Sequence, residues 1–177
     1  AEVQWAIGGV HNQLNALATI AAAEHVGVSP AAAAQALATF ENVKRRMEVR
    51  GTVNGITVYD DFAHHPTAIR TTLDGLRRSV GPQTRLLAVF EPRSNTMKLG
   101  AMKAQLPWAL EAADLAFCHT AGLDWDAGAA LAPLGVGAGQ RAQTADNIAQ
   151  LLAQVVQAAQ PGDQIVCMSN GSFGGIH

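Results

Sequence analysis

The sequence has little that would hold a polyanion. Its 12 Lys and Arg against 14 Asp and Glu leave a formal charge of −2, whereas a nucleic-acid binder carries a basic stripe. That balance excludes a general nucleic-acid partner but leaves room for a small anionic ligand gripped by a few arginines. Cysteine is scarce too, limited to Cys118 and Cys167. Each ends or lies within a short apolar run, Leu115-Ala116-Phe117-Cys118 and Ile165-Val166-Cys167-Met168. Both therefore read as reduced thiols packed in core strands, not as a disulfide framework. No run is long and apolar enough to span a bilayer, and no charged-then-apolar leader opens the sequence. The expected setting is a reducing cytoplasm with no membrane partner.

What is present is ordinary for a globular protein: 177 residues, 49% hydrophobic and 15% charged. That length buries a core without metals or disulfides. Val3 to Gly9 reads as a strand end running into a glycine turn. A helical period follows over 12–26, with Leu14, Leu17, Ala18 and Ala21 on one face, and Gly27 as its stop. Ser29-Pro30 is an N-cap with proline at the first helical position, and the helix continues to Phe40. From Glu48 the period changes to that of a β-hairpin around Asn54-Gly55. Beyond it, apolar strands at 86–90, 115–118 and 164–168 alternate with helices expected at 66–79, 98–113 (interrupted near Pro107) and 144–159. In the last of these, Ile148, Leu151, Leu152, Val155 and Val156 are expected inward.

Strands alternating with helices imply an α/β, Rossmann-like, mostly parallel sheet with helices on both faces. Ligands bind such sheets at the carboxyl ends of the strands. Four polar segments fall just after strands: Asp60 to Pro66, Glu91 to Thr96, His119-Thr120 and Ser169 to Gly175. Both ends of the chain read as interrupted, since the first strand has no partner before it and Gly171 to His177 resembles a loop opening onto a helix.

Residue chemistry leaves several roles open. Asn12 and Asn15, three apart at a helix start, place two amides on one side. An amide both donates and accepts, which suits the N6/N7 edge of adenine; equally, Asn12 caps the helix and Asn15 is a solvated polar residue. Asp60 and Asp61 end a strand, and His64 and His65 open the next helix. A strand-end carboxylate accepts from ribose hydroxyls, an Asp/His set binds metal, and a plain helix N-terminal cluster has the same composition. No third metal ligand stands at a recognisable spacing, so no metal site is assigned. Lys44-Arg45-Arg46 reads either as a phosphate grip or as a solvated charge run. Arg93, in the loop after the most apolar strand, can hold a carboxylate. Gly135-Val136-Gly137-Ala138-Gly139 lacks the Gly-Lys-Ser/Thr ending of a phosphate loop and reads as a surface loop. His25 and His119 stand alone and read as structural.

Taken together, these motifs resemble the Mur ligase family, the ATP-dependent amide-forming enzymes of peptidoglycan synthesis. The run Gly9-Val10-His11-Asn12-Gln13-Leu14-Asn15-Ala16-Leu17-Ala18 resembles the last helix region of the family's central, ATP-binding domain. Phe40 to Gly51 resembles the junction to its carboxyl-terminal domain. Asp60-Asp61-Phe62-Ala63-His64-His65-Pro66 resembles the Asp-Asp-Tyr-Gly-His-His-Pro motif of the alanine-adding branch. The loops Phe90 to Gly100 and Met168 to His177 are most similar to the branch that joins an intact tripeptide, L-Ala-γ-D-Glu-meso-diaminopimelate, to UDP-N-acetylmuramate in peptidoglycan recycling. Ser94 and Met97 stand where the alanine-adding branch has arginines, which argues against free alanine.

The resemblance implies that 1–40 is the tail of the central ATP-binding domain with a linker helix, and 41–177 the carboxyl-terminal domain. It implies ATP and Mg²⁺ as cofactors, mostly bound by the central domain, and activation of the muramate carboxylate as an acyl phosphate. His11, Asn12, Asn15, Arg46, Asp60 and Asp61 then become ATP contacts. His64, His65, Arg93, Ser94, Asn95 and Ser172 become peptide contacts. No catalytic residue is assigned within the chain, and the phosphate loop, the magnesium carboxylates and the UDP-sugar domain lie outside it. Three alternatives stand beside this reading: the alanine-adding ligase, a non-catalytic α/β nucleotide-binding or scaffold module, and a metal-dependent hydrolase built on Asp60, Asp61, His64 and His65.

Overall fold

The computed structural model describes residues 2–5, 7–135 and 141–176. The chain forms two compact units, 1–44 and 45–177. The first holds α1 (Val10–His25) and α2 (Pro30–Ala38). Ser29 caps α2 by accepting from the Ala32 N–H, ahead of Pro30, as the Ser-Pro pair predicts. Their buried residues are small: Ala16 on α1, Ala33 and Ala34 on α2. Leu14 and Leu17, expected on one face of α1, are both exposed. Alanines let two helices approach closely, and the buried residues of this pair are Ala16, Ala33 and Ala34.

The second unit is built on a six-stranded sheet ordered β1-β2-β6-β3-β4-β5. Its strands are β1 (Glu48–Val53), β2 (Ile56–Asp61), β3 (Leu86–Phe90), β4 (Leu115–His119), β5 (Ala142–Ala145) and β6 (Gln164–Met168). Asn54 and Gly55 join β1 to β2 with φ of 51° and 77°, the positive pair that a type I′ turn requires. The hairpin is not a separate appendage: β2 pairs in parallel with β6, and β1 is the antiparallel edge. All other pairings are parallel.

Alternate residues of each central strand face opposite layers. Leu86, Ala88 and Phe90 meet Ile69, Leu73 and Leu76 of α3 (Pro66–Val80), with Leu106 of α5 (Leu106–Ala109) and Leu131 of α6 (Ala127–Leu131). Leu87 and Val89 meet Leu151 and Val155 of α7 (Ile148–Ala158), with Phe173. Each such fully buried side chain contributes about 1.5–3 kcal/mol. Cys118 and Cys167 are buried on opposite faces as free thiols. Burial pushes the Cys118 thiol pKa up, and it lifts Cys167 to about 12 with a smaller push from the Asp60 carboxylate.

Two helix expectations are corrected. The span 98–113 is not one helix but α4 (Asn95–Lys98), a 3-10 turn and α5. Gly100, at φ +73°, takes a conformation that ends the first, and Pro107 sits in the first turn of α5. The helix expected from Thr144 begins only at Ile148, capped by Asn147, because Ala142–Ala145 forms edge strand β5. On α7, Leu151 and Val155 are buried while Leu152 and Val156 are exposed, so the inward stripe is narrower than expected. Of the glycine run at 135–139, all but Gly135 lies outside the described residues, as does His177.

Candidate functional site

Because β2, β6, β3 and β4 run parallel, their carboxyl ends form one rim. Asp61, Met168, Phe90 and His119 are the last strand residues along it, and Glu91 and Ser169 follow two of them. The Ser169 hydroxyl donates to Glu91 Oε2 at 2.6 Å and accepts from the Gly171 N–H at 2.9 Å. His119 Nδ1 lies 3.7 Å from Glu91 Oε1, too far for a hydrogen bond. That nitrogen and Asn170 Oδ1 are buried with no hydrogen-bond partner among the described residues. Unsatisfied buried polar atoms call for a polar partner, and these two lie at the strand-end rim. From sequence alone His119 reads as structural, and Glu91 and Ser169 stand out only as members of polar segments. Their positions directly after predicted strands were the available signal.

Arg93 leaves the same rim. Its guanidinium lies against Gly171, where an added Cβ would stand 2.6 Å from Cζ. Only glycine at 171 leaves room for Arg93 in this placement, so the β3 and β6 loops are fitted to each other. Ser94 caps α4 by accepting from the Met97 N–H, and Asn95 opens that turn in an exposed position. Ser172 is exposed on the β6 loop. Thus Arg93, Ser94, Asn95 and Ser172 all lie on the two loops that follow β3 and β6, which are neighbouring strands.

The Asp60-Asp61 pair is arranged differently from the expectation of open carboxylates. Asp60 is 2% and Asp61 3% exposed. Arg45 Nε sits 3.2 Å from both oxygens of Asp60, and its Nη2 donates to the Ser169 carbonyl at 2.7 Å. Asp61 accepts from the Met47 N–H at 2.9 Å, the Ala63 N–H at 2.8 Å and the Thr72 hydroxyl at 3.2 Å. Arg45 and Met47 have φ of 58° and 53°, a left-handed conformation that costs a non-glycine residue about 1–3 kcal/mol. The two carboxylates hold that turn in place. As folded, then, both carboxylates are buried and engaged by protein donors. Among the described residues no group of three or more His, Cys, Asp or Glu is placed to hold a metal ion.

The strained turn presents two guanidinium groups to one ring. Arg45 and Arg46 lie 5.5 and 5.6 Å from the centroid of Phe62, within cation–π range. His64 Nδ1 lies 2.9 Å from the Phe62 carbonyl, and its imidazole meets Phe62 edge-on. His65 is the N-cap position of α3, with Pro66 behind it and no side-chain capping bond. In the other unit, Asn12 is not the cap of α1; Gly9 is. The Asn12 amide instead donates back to the Gly8 carbonyl at 2.7 Å. Asn15 and His11 are exposed, and the His11 ring packs against Gly9.

Residues 45–171 match the family profile of the Mur ligase, glutamate ligase domain. The chain belongs to the Mur ligase family. It is 51% identical, over 99% of its length, to the UDP-N-acetylmuramate–L-alanyl-γ-D-glutamyl-meso-2,6-diaminoheptandioate ligase of Escherichia coli K12. Over 100% of its length it is 51% identical to the protein of that name from Haemophilus influenzae. A crystal structure of a murein peptide ligase from Psychrobacter arcticus superposes with a TM-score of 0.76 at 43% identity, covering 99% of this chain and 37% of that one. The chain spans 38% of the length of the two curated relatives. The Mur ligase domain match begins at Arg45, the first residue of the second unit, and takes in the strand-end rim as far as Gly171, leaving Ser172 just beyond it.

Proposed function

We propose that this chain is the carboxyl-terminal part of an ATP-dependent, ADP-forming ligase of peptidoglycan recycling. The reaction joins L-Ala-γ-D-Glu-meso-diaminopimelate to UDP-N-acetylmuramate. One observation carries the reading: 51% identity across 99% of the chain to a ligase of that name. The rim geometry agrees with it. Residues 1–40 are assigned to the tail of the central ATP-binding domain with a linker helix, and 41–177 to the carboxyl-terminal domain. No helix among the described residues is long and apolar enough to cross a membrane, and two buried thiols suit a cytoplasmic setting.

ATP supplies the phosphate that activates the muramate carboxylate. Around it, His11, Asn12 and Asn15 are assigned to adenine and Arg46 to the phosphate side. Asp61, with Asp60, is assigned to the ribose side, and both carboxylates hold the Arg45–Met47 turn and with it the backbone of Arg46. With those carboxylates already engaged by Arg45 and by N–H donors, magnesium is assigned to residues outside this chain. Arg93, Ser94, Asn95 and Ser172, with His64 and His65 on the loop after β2, are assigned to the tripeptide. An arginine grips a peptide carboxylate in two-pronged fashion, and fixing the amine is what turns a bimolecular attack into an oriented one. The 177-residue chain alone, which contains no Gly-Lys-Ser/Thr phosphate loop, is expected to hydrolyse no ATP.

The test is amine-substrate profiling of the full-length protein by ADP release. The tripeptide should support turnover far better than free L-alanine. Preference for L-alanine would replace this reading with the alanine-adding one. Turnover with neither would leave a nucleotide-binding module.

A further inference from the structure

We propose that Trp125 is a positioning residue for the peptide substrate, acting through the loop after β3. The inference rests on reading that loop as part of the peptide site. The indole Nε1–H donates to the Met97 carbonyl at 2.8 Å. A Cβ added at Gly100 would stand 2.8 Å from Trp125 Cδ1 and 3.0 Å from Cγ, so the indole lies directly on that glycine. The Asp124 N–H donates to the Lys98 carbonyl at 3.2 Å. The segment after β4 is therefore bolted to 97–100 at three points.

The other side of the turn is anchored as well. The Met97 side chain is buried in the core, and the Met97 N–H donates to Ser94 Oγ. Met97 thus has its side chain, amide and carbonyl all fixed, the carbonyl by Trp125 together with the Gly100 N–H at 3.0 Å. Ser94 and Asn95 belong to the same four-residue turn, and Arg93 precedes it. A shift of the Met97 carbonyl moves the residues assigned to the peptide, although Trp125 is assigned no contact with substrate.

Two variants of the full-length protein test this. Trp125→Phe keeps a ring and removes the donor. Gly100→Ala crowds the ring and also strains the turn at its φ of +73°, so it perturbs the same loop by a different route. Loss of one neutral hydrogen bond at the hinge should raise the tripeptide KM about fivefold. The turnover number and the KM for ATP should stay within about twofold of the parent in both variants. Hydrogen exchange of the amides of 95–100 should quicken in both. An unchanged tripeptide KM, or an equal loss for every substrate, overturns the proposal. If the parent protein fails to use the tripeptide at all, the substrate reading falls and the proposal with it. The exchange rates then show separately whether Trp125 holds the loop.

Discussion

Removing the Asp61 side chain should destabilise the second unit by about 3–5 kcal/mol. The carboxylate is 3% exposed and accepts from the Met47 and Ala63 N–H groups and the Thr72 hydroxyl. Asp61→Ala leaves the two N–H groups and the hydroxyl short of their partner, at about 1–3 kcal/mol for each buried donor left unmade. It also releases the turn that Arg45 and Met47 hold at positive φ, which recovers part of their strain and keeps the total in the lower half of the sum. Asp61→Asn keeps one acceptor but turns an N–H₂ toward an N–H donor, so about half the effect is expected. Urea unfolding reads this directly. With a slope of about 2 kcal/mol per molar, the Ala variant should lower the midpoint by about 1.5–2.5 M at unchanged slope. A midpoint within about 0.3 M of the parent would refute the claim that Asp61 is a structural acceptor. It would return the residue to the role of an open rim carboxylate.

Leu151→Ala, at a fully buried position between α7 and the sheet, should cost about 2–5 kcal/mol in the same assay, whereas Val156→Ala on the exposed side should change little. Burial lifts the Cys167 pKa from 9.0 to about 12, so the folded state keeps a proton that the unfolded chain gives up. Stability should be level below about pH 9 and fall as pH rises from there toward 12. Both thiols should resist a disulfide reagent at about pH 8 until urea is added, and prompt labelling of the folded chain would contradict their burial. Arg93→Ala should raise the tripeptide KM of the full-length protein about tenfold or more with little change in the KM for ATP. An equal effect on both would assign the residue to the fold instead.

The sheet was legible wherever burial on both faces forced continuous apolar runs. Leu86–Phe90 and Gln164–Met168 have such runs, and Asn54-Gly55 marks the hairpin by turn chemistry alone. Strand β5 was not legible: Ala142-Gln143-Thr144-Ala145 is an edge strand with partial burial, and four mixed residues carry no period. The break after α4 depends on one glycine at positive φ, which a helical pattern tolerates on paper. The rim could be located from sequence, because polar residues directly follow apolar strands. What those residues do there could not. The inward turn of Asp60 and Asp61 depends on Arg45, Met47 and Thr72, which come from other segments. The Ser169–Glu91 bond joins residues 78 apart in sequence. Contacts between strand ends follow from strand order, and the insertion of β6 between β2 and β3 leaves no local signal.

The most direct measurement is a crystal structure of the full-length protein with ADP and the tripeptide. The peptide should lie across the carboxyl ends of β3 and β6, with a carboxylate on Arg93 and polar contacts to Ser94, Asn95 or Ser172. A peptide bound at the opposite end of the sheet, or away from both loops, would contradict the account.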